Sequence, residues 1–406
     1  MGKYNYDKSA LAGLGVGDFL NEVKVREAHI AAAPAEEIKS VYNANILAGR
    51  LHPDYQQARI AEIKNEPDAK TFTFVQDDEN GTGALAYFRA GQYISAVIEM
   101  NGVIITKPYT IASAPKAALG DKNTSYKITV KKSPDGFASE HILNNWKEGD
   151  VIMFSQPLGQ FYYQDLRDAK NVIAAAGGSG ITPFYAMAAA IADGTEDFNL
   201  TILYGSRTAD SILLKNELAG IEAKAAGKVK VVHILSDEEK DGYEHGFITA
   251  EMIKKYGSGD YSVFACGPKA MMDFLKGETE KLGLPGRRVR FEVPGEFGNP
   301  AGTQGYPAEA ANKEYDITVI VRGEETKIKC RSDQTLLDAC QMAGIPVTSD
   351  CRSGLCGWCH SRLVPGDVFM PESADGRREA DKKFGWIHPC AAYPLGSVTM
   401  EVFPNV

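Results

Sequence analysis

Cys351-Arg-Ser-Gly-Leu-Cys356-Gly-Trp-Cys359 places three cysteines in one short loop at the spacing C-x4-C-x2-C, and Cys390 stands well downstream. This is the spacing of plant-type [2Fe-2S] sites, and the reason is geometric. Four thiolates must wrap a small rhomb of iron and sulfide, so one loop supplies three and a distant segment the fourth. Gly354 and Gly357 let backbone N–H groups turn toward the sulfurs, where their hydrogen bonds offset the cluster's negative charge. Other cysteine chemistries explain less of the pattern. Cys356-Gly-Trp-Cys359-His360 also fits C-x-x-C-H, a haem attachment motif, but that leaves Cys351 and Cys390 unused. A thioredoxin-like pair wants a strand-to-helix setting, and a zinc ribbon wants a second C-x2-C. A Rieske centre wants Cys-x-His, where this chain has His388-Pro389-Cys390. The expected metal ligands are therefore Cys351, Cys356, Cys359 and Cys390. Seven cysteines, an odd number, argue against a disulfide framework, and Cys330 and Cys340 read as buried structural thiols.

The 406 residues suggest two to four domains at roughly 100–200 residues each. Residues 1–55 form an N-terminal extension of unknown role, a docking arm, oligomerisation element or lid. It carries one helix expected to be capped by Asp18 and another after Pro34. Residues 56–165 hold many short strands joined by turns, including Ile60–Ile63, Thr71–Val75, Tyr93–Ile98 and Val103–Ile111, and read as an antiparallel barrel. Residues 166–297 alternate strand and helix, which predicts a parallel sheet covered on both faces. Residues 298–312, rich in glycine, proline and alanine, read as a linker. Residues 313–406 form a small domain with a hairpin, a helix over Thr335–Ala343 capped by Asp333 or a neighbour, and the cysteine loop. The fold class is thus multidomain α+β.

Two segments of the barrel have the residue types a flavin needs. Lys107, Pro108, Tyr109 and Thr110 end a strand, offering a cation for phosphate, a ring to stack on the isoalloxazine and a hydroxyl for the region of N5. Gly136, Phe137, Ala138 and Ser139 open a helix. Its first N–H groups and the Ser139 hydroxyl offer an anion site; the plainer reading is a serine N-cap. In the next domain Val172–Ala176 runs into Gly177-Gly178-Ser179-Gly180-Ile181-Thr182-Pro183, a strand, tight turn and helix start suited to a pyrophosphate, with Thr182 as the expected N-cap. The dinucleotide fingerprint G-x-G-x-x-G is absent. Ser206 and Arg207 end the following strand, where an adenosine ribose belongs; Arg207 equally suits stacking on adenine or pairing with Asp210. Cys266, Gly267 and Pro268 form a turn with room for a flat ring.

Together these motifs resemble the ferredoxin–NADP reductase superfamily. Its flavin motif Arg-x-Tyr-Ser corresponds to Lys107-Pro108-Tyr109-Thr110, and its Gly-Gly-x-Gly-Ile-Thr-Pro and Cys-Gly-Pro turns match residues 177–183 and 266–268. The last domain resembles plant-type ferredoxins of the β-grasp fold, on its four cysteines and on Leu363-Val364-Pro365-Gly366-Asp367-Val368. The domain order resembles phthalate-dioxygenase-type reductases. The resemblance implies that Thr110 and Cys266 stand at the hydride-transfer point and that Phe297 covers the flavin. It favours FAD over FMN, although lysine in place of arginine loses the bidentate fork on phosphate. NADH is favoured over NADPH.

These expectations add up to an NAD(P)H-dependent oxidoreductase that feeds electrons through flavin and a [2Fe-2S] cluster to a one-electron acceptor protein, such as an oxygenase, a ferredoxin or a corrinoid protein. The alternatives are a redox-sensing or docking protein holding the same cofactors, or flow in reverse toward NAD(P)+. A net charge of −9 without a basic run argues against nucleic acid as a partner. No stretch nears the roughly 18 apolar residues of a membrane span, and no signal peptide is evident, so a cytoplasmic location is expected.

Overall fold

The structure is a computed structural model that describes residues 15–33, 42–79, 82–100, 103–120, 122–132, 137–292 and 298–403. The chain divides into two units, residues 1–47 and 48–406. In the first, α1 spans Val16–Ala32, and Asp18 lies inside it: Gly15 is the N-cap, and Asp18 accepts from the Gly15 N–H at 2.8 Å. A carboxylate in the first turn faces free N–H groups whether it caps or follows the cap, so the sequence could not separate the two. Helix α2 covers Asn43–Leu51. The helical stretch expected directly after Pro34 falls largely outside the described residues.

In the second unit the first layer is a six-stranded antiparallel sheet. Its strands are β1 (Tyr55–Glu66), β2 (Ala69–Gln76), β3 (Tyr93–Met100), β4 (Val103–Thr110), β5 (Ser125–Lys131) and β6 (Val151–Ser155), in the order β4-β3-β6-β1-β2-β5. Alternation along the strands turns Ile60, Phe72, Phe74, Ile94, Ile98, Ile128 and Phe154 inward, where Phe74 meets Phe154 edge-on at 4.8 Å. Helix α3 (Phe137–Asn145) leads to Trp146, whose ring closes the end against Phe72 at 5.4 Å. The sequence pattern found only the middle of β1, because its outer half is exposed and loses the alternating signal.

A parallel sheet follows: β7 (Asn171–Gly177), β8 (Asn199–Ser206), β9 (Val229–Leu235), β10 (Glu244–His245), β11 (Tyr261–Cys266) and β12 (Val289–Glu292), ordered β10-β9-β8-β7-β11-β12. Helices α4 (Thr182–Ala192), α5 (Lys215–Lys224), α6 (Ala250–Tyr256) and α7 (Lys269–Glu280) connect it. Strand order reverses at β7, so a crevice opens beyond the carboxyl ends of β7 and β11. Thr182 is not the N-cap of α4. A short 3-10 turn over Gly178–Ile181 runs straight into the helix, and the Thr182 hydroxyl donates backward to the Ser179 carbonyl at 3.0 Å.

The last domain is a mixed sheet of β13 (Glu314–Val321), β14 (Glu324–Arg331), β15 (Ser361–Leu363), β17 (Trp386–Ile387) and β19 (Val398–Val402), with a small ribbon of β16 (Val368–Phe369) and β18 (Tyr393–Pro394). Helix α8 (Leu336–Met342) packs across it, and α9 (Glu379–Lys383) lies near β17. The α8 cap is Thr335, whose hydroxyl accepts from the Asp338 N–H at 3.1 Å, rather than Asp333. Described residues 298–312 follow the surface of this domain: the Tyr393 hydroxyl donates to the Gly298 carbonyl at 2.5 Å and Tyr306 packs edge-on against Phe369.

The antiparallel and parallel layers are joined tightly. Arg290 on β12 donates to the carbonyls of Tyr162, at 2.6 Å, and Gln160. Lys64 on β1 bridges Glu66 and Glu217. Gly91 lies in the seam at φ +106°, where a methyl group would come within 2.0 Å of the Phe161 carbonyl oxygen and 2.9 Å of Met187. Both the backbone conformation and the lack of space require glycine. Gly91→Ala is expected to lower unfolding free energy by about 3 kcal/mol, read from denaturant midpoints at unchanged m-value.

Candidate functional site

The cysteine loop folds around its own sulfurs. The N–H groups of Ser353 and Cys356 point at Cys351 Sγ, both at 3.4 Å, and that of Gly354 points at Cys390 Sγ at 3.3 Å. Cys359 and Cys390 bring their sulfurs to 3.4 Å of each other. Gly354 is at φ +77°, and a methyl there would overlap the Ala374 carbonyl oxygen at 1.9 Å. His388, buried beside Cys390, donates from Nδ1 to the Gly354 carbonyl at 2.6 Å and locks the distant ligand to the loop. Four soft thiols lined by inward N–H donors are the donor set that an iron–sulfur cluster takes.

Arg352, between the first ligand and the loop, is a residue the sequence reading missed. Its side chain has no exposure to water, and its backbone is left-handed at φ +53°. Burying a guanidinium demands partners. It has them in Asp338, paired as an ion, and Gln341, whose Oε1 accepts from Nη1 at 2.7 Å. Asp338→Ala takes away this cation's carboxylate partner and is expected to destabilise the last domain by about 3 kcal/mol, measured as a fall in its denaturant midpoint.

One side of the loop meets the antiparallel sheet. Ser95 on β3 donates its hydroxyl to the Asp350 carbonyl at 3.1 Å, and Thr106 on β4 donates to the Ser349 carbonyl at 3.0 Å. In the β3–β4 ladder Ser95 lies opposite Pro108 and Tyr93 opposite Thr110, so these residues share one face. Of the expected flavin residues, Pro108 and Thr110 therefore share the face that meets the ferredoxin-like loop, whereas Lys107 and Tyr109 alternate to the other face, where Tyr109 packs against the sheet core. The Thr110 hydroxyl makes no hydrogen bond among the described residues. The Tyr93 ring packs on Gly159, and its phenol is within electrostatic reach of Cys351, Cys356 and Asp350. Ser139 is buried in the first turn of α3 rather than capping it, since the helix begins at Phe137; Ala138 is buried beside it. Gly136, Phe297 and the side chain of Phe137 lie outside the described residues.

The nucleotide-domain candidates converge on the crevice. Gly177, Gly178, Ser206, Arg207, Gly267 and Pro268 help line a cavity of about 1020 Å³. Gly180 packs so closely on the second turn that a methyl would lie 2.2 Å from the Cys266 carbonyl oxygen, and Pro183 is buried in the first turn of α4. Ser206 Oγ is buried with no hydrogen-bond partner, which suits a ribose hydroxyl or phosphate oxygen. Arg207 makes no ion pair with Asp210. Lys131 of β5 also lines the cavity and would stand 3.8 Å from a methyl on Gly178, a cation for a pyrophosphate that sequence alone did not single out. Phe247 and Phe274 form a tilted aromatic pair in the cavity wall. Cys266 is fully buried, and loss of water holds its thiol well above the ordinary range, so it stays neutral.

Glu292 pairs across the ladder with Cys266, at the place where the crevice approaches the cysteine loop. Burial pushes its carboxyl up to about 7; Arg290 opposes the shift and Cys351 adds to it. In the unfolded chain this proton leaves near 4.5, so between that pH and about 7 the folded state binds more protons, and stability falls as pH rises. Glu292→Gln is expected to raise stability relative to the parent above pH 7 and to lose that advantage below pH 4.5, as followed by denaturation at each pH.

Comparison with known proteins bears on the whole arrangement. Residues 61–163 match the oxidoreductase FAD-binding domain, 175–277 the oxidoreductase NAD-binding domain and 319–395 the 2Fe-2S iron-sulfur cluster binding domain. The chain thus carries FAD-binding, NAD-binding and C-terminal 2Fe-2S domains, the set and order expected from its resemblance to ferredoxin–NADP reductases with a fused ferredoxin domain. The reductase is similar to the glycine betaine monooxygenase reductase subunit of Chromohalobacter salexigens, 27% identical over 84% of this chain and 93% of that protein. It is also similar to the ferredoxin reductase component of 3-ketosteroid-9-alpha-monooxygenase of Rhodococcus rhodochrous, 28% identical over 82% of this chain and 93% of that protein. The solved structure of phthalate dioxygenase reductase has the same fold, with a TM-score of 0.63 and 22% identity over 86% of this chain and 98% of that one. The cofactors of the reductase are accordingly a flavin, a [2Fe-2S] cluster and a nicotinamide dinucleotide.

Proposed function

We propose that this chain is the reductase component of an oxygenase system, carrying electrons from NADH through FAD and the [2Fe-2S] cluster to an acceptor protein. The observation that supports it is the two-sidedness of the cysteine loop. Cys351 is buried on the side bonded to β3 and β4, whereas Cys356 is the exposed ligand. Flavin, when bound, would supply the conversion between the electron pair of a hydride and the single electrons that a [2Fe-2S] cluster carries. The chain's own residues bind, orient and exclude water. Lys107 and the start of α3 hold flavin phosphate, Tyr109 lies along the ring, and Thr110 offers its hydroxyl at the reacting edge. Gly178, Gly180, Thr182 and Pro183 shape the pyrophosphate turn, with Lys131 supplying charge. Ser206 and Arg207 take the ribose, Phe247 or Phe274 stacks on adenine, and Cys266, Gly267 and Pro268 leave room for nicotinamide.

The domain limits we propose are 56–165 for flavin, 166–297 for nucleotide, 298–312 for the linker and 313–406 for the cluster, after an extension over 1–55. Around Cys356 a cavity of about 380 Å³ is lined by Gly357, Trp358, His360, Trp386 and Phe403. Trp358 and Phe403 are about half exposed, and the His360 ring stacks on Trp386 at 4.2 Å. Large aromatic side chains at a rim are well suited to a protein partner. Relatives that are named as oxygenase reductase components favour an oxygenase as that partner. No helix among the described residues is long and apolar enough to cross a membrane. Seven cysteines without a disulfide suit a reducing compartment, the cytoplasm.

Anaerobic titration of the purified protein with NADH and with NADPH, followed by absorbance and EPR, tests the reading. The expected result is loss of the flavin band followed by the signal of a reduced [2Fe-2S] centre, at lower concentrations of NADH than of NADPH. Cys356→Ser is expected to abolish NADH-driven reduction of cytochrome c while ferricyanide, which can take electrons at the flavin, is still reduced. Cytochrome c reduction at the parent rate would count against the cluster as the exit.

A further inference from the structure

We propose that a chain of hydrogen bonds, Thr106–Ser349–Gln341–Arg352 with Ser95–Asp350 beside it, is a clasp that sets the spacing between the flavin strand and the cluster loop. It thereby governs how fast electrons cross between them. The proposal rests on the electron path proposed above and adds positioning residues to it.

The contacts differ from ordinary packing in what they grip. Ser95 and Thr106 stand on neighbouring strands, and each donates to a backbone carbonyl of the loop, those of Asp350 and Ser349. These are consecutive residues leading directly into Cys351. What is fixed is therefore the main-chain path of the first ligand, and not a side chain that can swing away. Ser349 Oγ also meets Thr106 Oγ1 at 2.6 Å and accepts from Gln341 Nε2 at 3.2 Å. Gln341 turns its oxygen to Arg352 Nη1 at 2.7 Å, and Arg352 is paired with Asp338. Every member of the chain is thus satisfied by the next, and it ends on a guanidinium sealed from water that cannot relax by solvation.

The barrel end is equally constrained. Ser95 lies opposite Pro108 in the ladder, and Thr106 directly precedes Lys107, so the gripping hydroxyls are built into the same ladder as the flavin motif. Ser95 is itself held from behind, its N–H donating to Ser155 Oγ at 2.9 Å. Two residues along β3 from Ser95 the Tyr93 ring is pressed on Gly159, where a methyl would approach it to 2.9 Å. A rigid strand, two directional bonds and a rigid loop leave little freedom in the gap. Electron transfer falls off steeply as the gap between two centres widens, and holding that gap is what positioning residues supply.

The test uses the holoprotein, mixed anaerobically with NADH in a stopped-flow instrument, with flavin bleaching and cluster reduction followed at separate wavelengths. Thr106→Val and the double variant S95A/T106V are expected to reduce flavin at the parent rate but to slow cluster reduction severalfold. The EPR line shape of the reduced cluster should be unchanged, and amide exchange over residues 347–352 should be faster. Thr106→Ser, which keeps the hydroxyl, should restore both rate and protection. Ser349→Ala provides the same break from the loop side should the barrel variants fold poorly. Cluster reduction at the parent rate in the variants overturns the clasp, as does an equal slowing of both steps. Absence of any cluster reduction in the parent protein overturns instead the electron path on which the clasp rests.

Discussion

Four thiolates cannot share one small volume unless something balances their charge. Two unit charges about 4 Å apart repel by about 4 kcal/mol even at an effective dielectric of 20, and here several pairs compete. Iron meets most of that demand when bound, but the polypeptide must hold the sulfurs in place around it. It does so with backbone: N–H groups of Ser353, Gly354 and Cys356 aim inward. That inward aim needs left-handed conformations at Arg352, Gly354 and Gly357. For glycine this conformation is unstrained; for arginine it costs about 1 kcal/mol. The ion pair with Asp338 and the bond to Gln341 hold Arg352 there, which ties the loop to α8 and, through α8, to the whole last domain.

The other two sites follow a different rule. Hydride transfer needs no protein acid or base, only close approach of two flat rings in a dry place. The residues we propose for that place are accordingly neutral or small. Cys266 keeps its proton, Thr110 presents a hydroxyl, and Gly177, Gly180 and Gly267 let the two turns of the nucleotide domain pack without side chains between them. Glu292 is the exception, an acid paired across the ladder with Cys266 whose carboxyl burial pushes upward.

Much of this was legible in the sequence. The cysteine spacing, the glycine-rich turn after a buried strand and the Lys-x-Tyr-Thr strand end are local patterns, and local patterns survive in one dimension. The order of antiparallel, parallel and ferredoxin-like layers was legible for the same reason, because hydrophobic period changes at each domain. What was lost depends on residues far apart in the chain. Ser95 and Asp350 are separated by 255 positions, and neither type is unusual where it stands. Arg352 was not singled out, because the partners that bury it lie on a helix. Helix starts were misplaced at Asp18 and Thr182, because the true N-caps, Gly15 and Ile181, carry no polar side chain and only the backbone conformation marks them.

The two-sidedness of the loop has a consequence for how such a chain is regulated in space. Were two ligands exposed, an acceptor could dock in several orientations and solvent could reach the cluster from more than one side. With Cys351, Cys359 and Cys390 buried and Cys356 alone reaching the surface, docking and solvent access are confined to one place. The aromatic side chains of Trp358, Trp386 and Phe403 surround that place and offer a partner apolar area that water holds only weakly. On the electron path proposed above, the β3–β4 side of the loop is the entry and the rim at Cys356 the exit, both shaped by the backbone that turns N–H groups toward the sulfurs. A substitution that loosens the loop is bound to disturb both at once, whereas one on the aromatic rim touches the exit alone.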